Sequence, residues 1–185
     1  MTKSIKKFFN MVEVTLAIAV VGIGIAGIMS LFPVAVSASR DAIADNYAAD
    51  TADQMIAYIS IISKADWATF IAGSSVPDES SIPSDPISSL ACATDTGLEN
   101  IKASGTSGIF KITQGSGNGI VDFSAFIKVW RTQLPQMNIA GQVTNVGWDS
   151  TFLYGSGVHI EISYPAEAPA AGRKKINYYF EVFKN

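Results

Sequence analysis

A chain of 185 residues has room for one globular domain beside a membrane helix, and not for two. Its formal net charge of -3 and pI near 5.1 exclude the broad basic face of a nucleic-acid-binding protein, so no nucleic acid is expected as a partner. Cys92 is the only cysteine, which excludes an internal disulfide, and a head in an oxidising compartment must be held by its core.

The first element is a basic leader with Lys3, Lys6 and Lys7, followed by an apolar run from about Val14 to Val36 that contains no charge. At about 1.5 Å per residue, such a run crosses a hydrocarbon core of roughly 30 Å as a helix. The lysines lie before it, which places the N-terminus in the cytoplasm and the remainder outside. A secretory signal would have an apolar core of about 7 to 15 residues and a small-residue cleavage site, whereas this run is longer and is preceded by Glu13. A charged carboxylate near mid-bilayer costs about 3 kcal/mol, so Glu13 calls for a partner.

A basic leader, a Phe and then a Glu at the fifth position of an apolar helix together resemble the prepilin N-terminus of type IV pilins and pseudopilins. The resemblance runs over FFNMVEVTLAIAVVGIG, with Phe9 at the first mature position, Glu13 at the fifth and residues 14–28 as the stem. It implies a structural subunit of a type IV pilus or a type II secretion-like pseudopilus. Its partners would be other pilin or pseudopilin subunits, the membrane, and a prepilin peptidase that cuts between Phe8 and Phe9 and methylates the new amine. Glu13 would be the assembly residue, pairing with the terminal amine of a neighbour. The subunit would begin as a single-pass inner-membrane protein and end in a cell-surface or periplasmic filament. The family usually has Gly before the Phe, where a backbone without a side chain can lie close in a peptidase groove, and Phe8 stands there in this chain. That departure favours a second reading, an uncleaved bitopic protein whose extracytoplasmic head binds a partner.

Within the apolar run, Gly22, Gly24 and Gly27 spell G-x-G-x-x-G, but no strand precedes them and a dinucleotide fingerprint needs a βαβ unit. Ala17, Gly22 and Ala26 are small residues of the kind that permit close helix approach. In the resemblance, the same glycines and Pro33 mark a stretch that can lose helical bonds on leaving the bilayer, and proline itself predicts a bend near residues 29–33. From Val36 to Ile62 the apolar residues Val36, Ile43, Tyr47, Met55, Tyr58, Ile59 and Ile62 recur near helical spacing, away from Asp45, Asp50 and Asp53. This predicts an amphipathic continuation lying on the head, with Arg40 solvated or snorkelling just after the membrane exit. Trp67 and Phe70 extend it toward a stop at Gly73.

Pro77, Pro83 and Pro86 break the segment 73–106, which reads as a Ser/Pro-rich loop partly tied down by Ile82, Ile87 and Leu90. Beyond it, residues 109–113, 121–129, 158–163 and 176–182 alternate as strands, with GSGNG at 115–119 as a turn and a looser stretch carrying Trp148 and residues 151–154. The division is therefore leader 1–8, transmembrane and assembly helix 9–36, amphipathic continuation 37–72, loop 73–106 and head 107–185. The predicted fold class is α+β: a long N-terminal helix packed on a C-terminal antiparallel sheet head of about four strands, pilin-like.

Catalytic chemistry has little to work with. His159 is the only histidine and lies on the polar side of an alternating strand, with no nucleophile elbow in the sequence. Neither C-x-x-C nor H-E-x-x-H occurs, so no metal and no cofactor are expected, and Asp95 and Glu99 in TDTGLEN lack EF-hand spacing. Trp130, Tyr154, Tyr164, Tyr178 and Tyr179 are core or surface aromatics of the head. No enzyme is expected.

Overall fold

The computed structural model describes residues 10–71, 76–115, 121–132, 136–139, 142–145 and 155–184. Two compact units divide the chain, Met1–Asp45 and Asn46–Asn185. The helix α1, Met11–Ala65, contributes residues to both.

In the first unit, the helix starts at an asparagine. Asn10 accepts the amides of Glu13 and Val14 through its carbonyl at 2.9 and 3.2 Å, and its side-chain Oδ1 accepts the amide of Val12 at 3.5 Å. An asparagine in this position satisfies amide donors that have no helical partner, which fixes where α1 begins. The helix continues through Pro33 without interruption. Pro33 lacks the N–H that would bond to the carbonyl of Met29, so one helical bond is missing while the helical backbone persists on either side.

In the second unit, the same helix becomes one-sided. Ala48, Thr51, Ala52, Met55, Ile59 and Ser63 are buried and recur at intervals of three and four, which puts them on one face. The two hydroxyls among them bond back along the helix, Thr51 Oγ1 to the Tyr47 carbonyl at 2.7 Å and Ser63 Oγ to the Ser60 carbonyl at 3.0 Å. Both are therefore buried without an orphaned donor. Tyr47 stacks on Phe123 with centroids 5.5 Å apart, and Tyr58 meets Phe110 edge-on at 6.4 Å. The helix predicted to reach Gly73 breaks at Asp66, which re-caps a second helix α2, Trp67–Ile71, by accepting the amide of Thr69 at 3.0 Å. Gly73 lies outside the described residues.

The head carries a six-stranded antiparallel sheet in the order β1-β2-β3-β4-β7-β8. Its strands are β1 Cys92–Asp95, β2 Ile101–Ser104, β3 Ile109–Gln114, β4 Phe123–Thr132, β7 Gly155–Tyr164 and β8 Lys174–Phe183. Between β4 and β7 the chain forms a separate two-stranded pair, β5 Gln136–Ile139 and β6 Gln142–Asn145. Four of the six strands answer to the alternation in the sequence. The other two, β1 and β2, lie inside the segment expected to be loop; they are four residues each, and β2 is held by pairing with β3 and β1 by pairing with β2.

Alternation and register sort the sheet into two faces. Phe110, Ile112, Phe123, Ala125, Ile127, Val129, Val158, Ile160 and Ile162 share the face that Tyr47 and Tyr58 touch, and all are buried. Full burial of each large aliphatic side chain contributes about 1.5 to 3 kcal/mol, so this layer is the main source of head stability. The opposite face carries Ile109, Phe126, Lys128, Trp130, His159 and Glu161, and segments 83–92 and 165–173 cover part of it. Leu90 and Cys92 pack on Ile109, Phe126 and Ala166.

Candidate functional site

The N-terminal site predicted from sequence divides at the edge of the described residues. Phe8 and Phe9 lie outside them. Glu13 falls in the first turn of α1 and is exposed, and no basic side chain among the described residues pairs with it. A carboxylate in the first turn is favourable to the helix, because the amides there carry partial positive charge. Thr15, next on the chain but one, turns its hydroxyl back to the carbonyls of Met11 and Val12, both at 3.0 Å.

Between Val14 and Val36 the large apolar side chains of α1 are exposed among the described residues. Leu16, Ile23, Met29 and Phe32 are 67%, 74%, 65% and 64% exposed, where a soluble helix would bury such residues. The helix is long and apolar enough to cross a membrane. A methyl group added at Gly22, Gly24 or Gly27 would meet nothing within 4 Å, so these glycines leave open notches along the stem. Its hydroxyls are internally satisfied, Ser30 to the Gly27 carbonyl at 2.7 Å and Ser37 to the Val34 carbonyl at 2.9 Å. That matters in hydrocarbon, where no water would take the bond.

The head contains two buried arginines that sequence reading passed over. Arg131, at the end of β4, donates Nε to the Val76 carbonyl at 3.0 Å and Nη1 to the Ile71 carbonyl at 2.8 Å, and Nη2 bonds and ion-pairs with Asp78. Its own amide donates to the Pro77 carbonyl at 2.8 Å, and its guanidinium lies over the Phe70 ring. Burial lowers its pKa despite the opposing pull of Asp78. Arg173 donates to the carbonyls of Pro86, Ala166 and Ala168 at 2.8 to 3.1 Å and covers the Phe126 ring. Each guanidinium fork ties chain ends from distant segments to the sheet, a task that a lysine's single ammonium performs poorly. For Arg131 the available signal was a charged residue at an inward position of a strand, and Arg173, in the turn before β8, offered none.

A charged quartet sits beside Arg173. Asp85 accepts Lys128 and Lys175 at 2.7 Å each, and Glu161 faces the same two ammonium groups at 3.1 and 3.5 Å. Glu161 Oε1 is buried and makes these contacts by charge, without hydrogen-bond geometry. The two lysines hold the Asp85 carboxyl down at about 2. Next along the face, Trp130, His159 and Tyr179 stand directly opposite one another across β4, β7 and β8. His159, expected on a solvent face, is half-buried because its ring stacks on Trp130 at 5.3 Å and leans on Tyr179 at 4.9 Å. Gly157 makes room for this row, since a Cβ there would lie 2.7 Å from Tyr179 Oη.

Of the other residues singled out in the sequence, Tyr164 is buried against Phe123, Tyr178 is half-buried, and Tyr154 lies outside the described residues. Asp95 pairs with Lys102 at 3.2 Å and accepts the Gly97 amide at 3.2 Å, which makes it part of a turn. Among the described residues no group of three or more His, Cys, Asp and Glu could hold a metal ion. Cys92 is half-buried, and burial raises its thiol pKa above the ordinary range.

A cavity of about 180 Å³ opens in the head between Tyr58, Ile59, Ile62, Phe70 and Val76 on one side and residues 103–110 of the β2–β3 turn on the other. Its described lining mixes apolar side chains with the hydroxyl-bearing Tyr58, Ser104, Thr106 and Ser107 and holds no charged side chain. The chain matches no family model, no curated protein and no solved structure.

Proposed function

We propose that this protein is a structural filament subunit of the type IV pilin or pseudopilin kind, assembling through its apolar N-terminal helix. The observation that carries the reading is the uncovered apolar surface of α1 between Met11 and Val36, headed by an exposed carboxylate at Glu13. Such a surface has to be covered, first by lipid and then by the stems of neighbouring subunits, and apolar burial drives the exchange between them. Glu13 sets axial register by pairing with the terminal amine of a neighbour, since a carboxylate buried alone among stems is costly. The general layout, a helix whose second half lies on an antiparallel sheet, suits a head displayed around such a core.

The test is the mass of the N-terminal peptide from protein purified from its native membrane or from sheared surface material. A peptide that starts at Phe9 and is heavier by one methyl supports the filament reading. An intact leader through Phe8 supports the second reading, a permanent bitopic anchor whose head binds a partner, which the aromatic side chain of Phe8 at the cut favours. Glu13→Ala is expected to insert in the membrane and to lose most filament yield; a normal yield of sheared filament would sink the register role.

A further inference from the structure

The walls of the cavity in the head are each fastened from outside it. On the helical side, Tyr58 meets Phe110 edge-on, and Phe70 lies under the Arg131 guanidinium, whose Nε also holds the Val76 carbonyl. On the other side, Ser104 Oγ donates to the Thr106 carbonyl at 2.9 Å and accepts the Thr106 amide at 3.0 Å, which ties the β2–β3 turn to itself. Gly108 ends that turn at φ +75°, its carbonyl accepts the Val129 amide at 2.8 Å, and a Cβ there would lie 2.6 Å from Pro77 Cδ. Only glycine meets both demands. Walls fastened in this way have little freedom to close on one another. About 180 Å³ therefore stays open, where an ordinary interior leaves few voids larger than a water.

We propose that this cavity binds a small neutral aromatic alcohol of the size and polarity of phenol. An apolar cavity of about 150 Å³ takes up benzene, so the volume suits one aromatic ring with a short substituent. Ile62, Phe70 and Val76 supply an apolar wall for the ring, and Tyr58 and Thr106 carry hydroxyls that can bond to a hydroxyl of the ligand. Burial raises the pKa of the Tyr58 hydroxyl, which keeps it protonated and able both to donate and to accept. Ordered water fits this mixture less well, because a water needs about two to four polar partners and the apolar wall offers none. A charged ligand is disfavoured, since the described lining has no ion to pair with it and its desolvation would go uncompensated. Every described lining residue belongs to the second unit, so the site does not rest on the filament reading: an unprocessed leader would end that reading and leave the cavity intact.

Fluorine NMR of the full-length protein in detergent tests this with 4-fluorophenol and 4-fluorobenzoate, each added to the parent and to Ala103→Leu. Ala103 lines the cavity and is half-buried, so a leucine there fills the space from β2. For a ligand this small, 4-fluorophenol is expected to bind the parent saturably with a dissociation constant on the order of 1 mM, and to bind Ala103→Leu about tenfold more weakly or worse. Micelles take up the probe equally in both samples, so the difference between them reports the cavity. 4-Fluorobenzoate is expected to bind neither protein. A second variant, Tyr58→Phe with Thr106→Val, keeps the shape of the lining and removes two hydroxyls, and it carries the test should leucine at 103 unfold the head. It is expected to weaken 4-fluorophenol about tenfold and to leave the affinity for fluorobenzene unchanged. Equal binding of 4-fluorophenol by the parent and Ala103→Leu, binding of the benzoate as tight as that of the phenol, or an equal loss of both neutral probes in the double variant would overturn the proposal.

Discussion

In the stem, Leu16 and Ile23 leave two thirds or more of their surface uncovered, while Met55 and Ile59 farther along the same helix are fully or almost fully buried. Both pairs sit on regular α-helical backbone, so local propensity does not distinguish them. What differs is what surrounds the helix. The stem is apolar all round and needs an apolar surrounding on every side, whereas the second half confines its buried residues to one face and leaves Asp50 and Asp53 exposed. One helix is thus written for two solvents, and among the described residues only the half in the head is covered.

The comparison breaks most plainly if the two halves respond alike to truncation. Phe126→Ala removes a fully buried ring from under Arg173 and is expected to destabilise the head by about 3 to 5 kcal/mol. Leu16→Ala should leave the head's unfolding midpoint unchanged, because Leu16 contributes to no core inside the chain. Denaturant titration of the full-length protein in detergent, followed by tryptophan fluorescence, measures both. A shift from Leu16→Ala comparable to that from Phe126→Ala would mean that the stem does have a partner in the monomer.

The stem was legible because its signal is unbroken: twenty-three residues from Val14 to Val36 without a charge can be read by counting. Strands β4, β7 and β8 were legible for a similar reason, since their period repeats often enough to stand out. The buried side of α1 was legible only in part: Met55 and Ile59 are buried and Tyr47, Tyr58 and Ile62 half-buried, but Val36 and Ile43 of the expected stripe are exposed, and small residues, Ala48, Thr51, Ala52 and Ser63, fill the rest of the buried face. The short strands β1 and β2 were not legible, because CATD does not alternate and the alternation of IKAS lasts only four residues inside a Ser-, Pro- and Gly-rich stretch. The same holds for the clamps. Arg131 and Arg173 drew no reading from the sequence, because their partners, Ile71, Val76, Pro86 and Ala166, offer backbone carbonyls that have no signature in sequence. His159 was placed on the correct side of β7, but its cover comes from two other strands, Trp130 on β4 and Tyr179 on β8. Of the candidate site, Glu13 and the glycines are described and Phe8 and Phe9 are not, so the processing step is still read from sequence alone.

Two smaller effects sharpen the picture of how the head closes on itself. Arg131→Lys keeps the charge and loses the fork, leaving the carbonyls of Ile71 and Val76 short of donors, and is expected to cost about 2 to 3 kcal/mol in the same titration. An unchanged midpoint would show that the arginine is incidental to the α2 connection. Gly157→Ala would push a methyl into Tyr179 and Thr132, at 2.7 and 2.9 Å, for a loss of about 1 to 2 kcal/mol. Placed in a Tyr179→Ala background, the same substitution should lose most of its effect, and additive losses would mean that Gly157 is required for a reason other than the ring above it.

The smallest effect concerns acid. Lys128 and Lys175 hold the Asp85 carboxyl at about 2 in the folded head, below its ordinary value of 3.8. A depressed carboxylate pKa adds stability that is complete above the unfolded value and fades as pH falls through the folded one, so the window runs from about pH 4 down to about 2. Because the Asp85 side chain is 37% exposed, solvent screens the pair, and the contribution is held to about 1 kcal/mol rather than the full value implied by the shift. Asp85→Asn should therefore lower head stability by that amount near neutral pH and flatten its decline between pH 4 and 2. If the variant and the parent decline in parallel across that interval, the link from segment 83–92 to the sheet is carried by Arg173 and the apolar contacts of Leu90 and Cys92, not by the charged quartet.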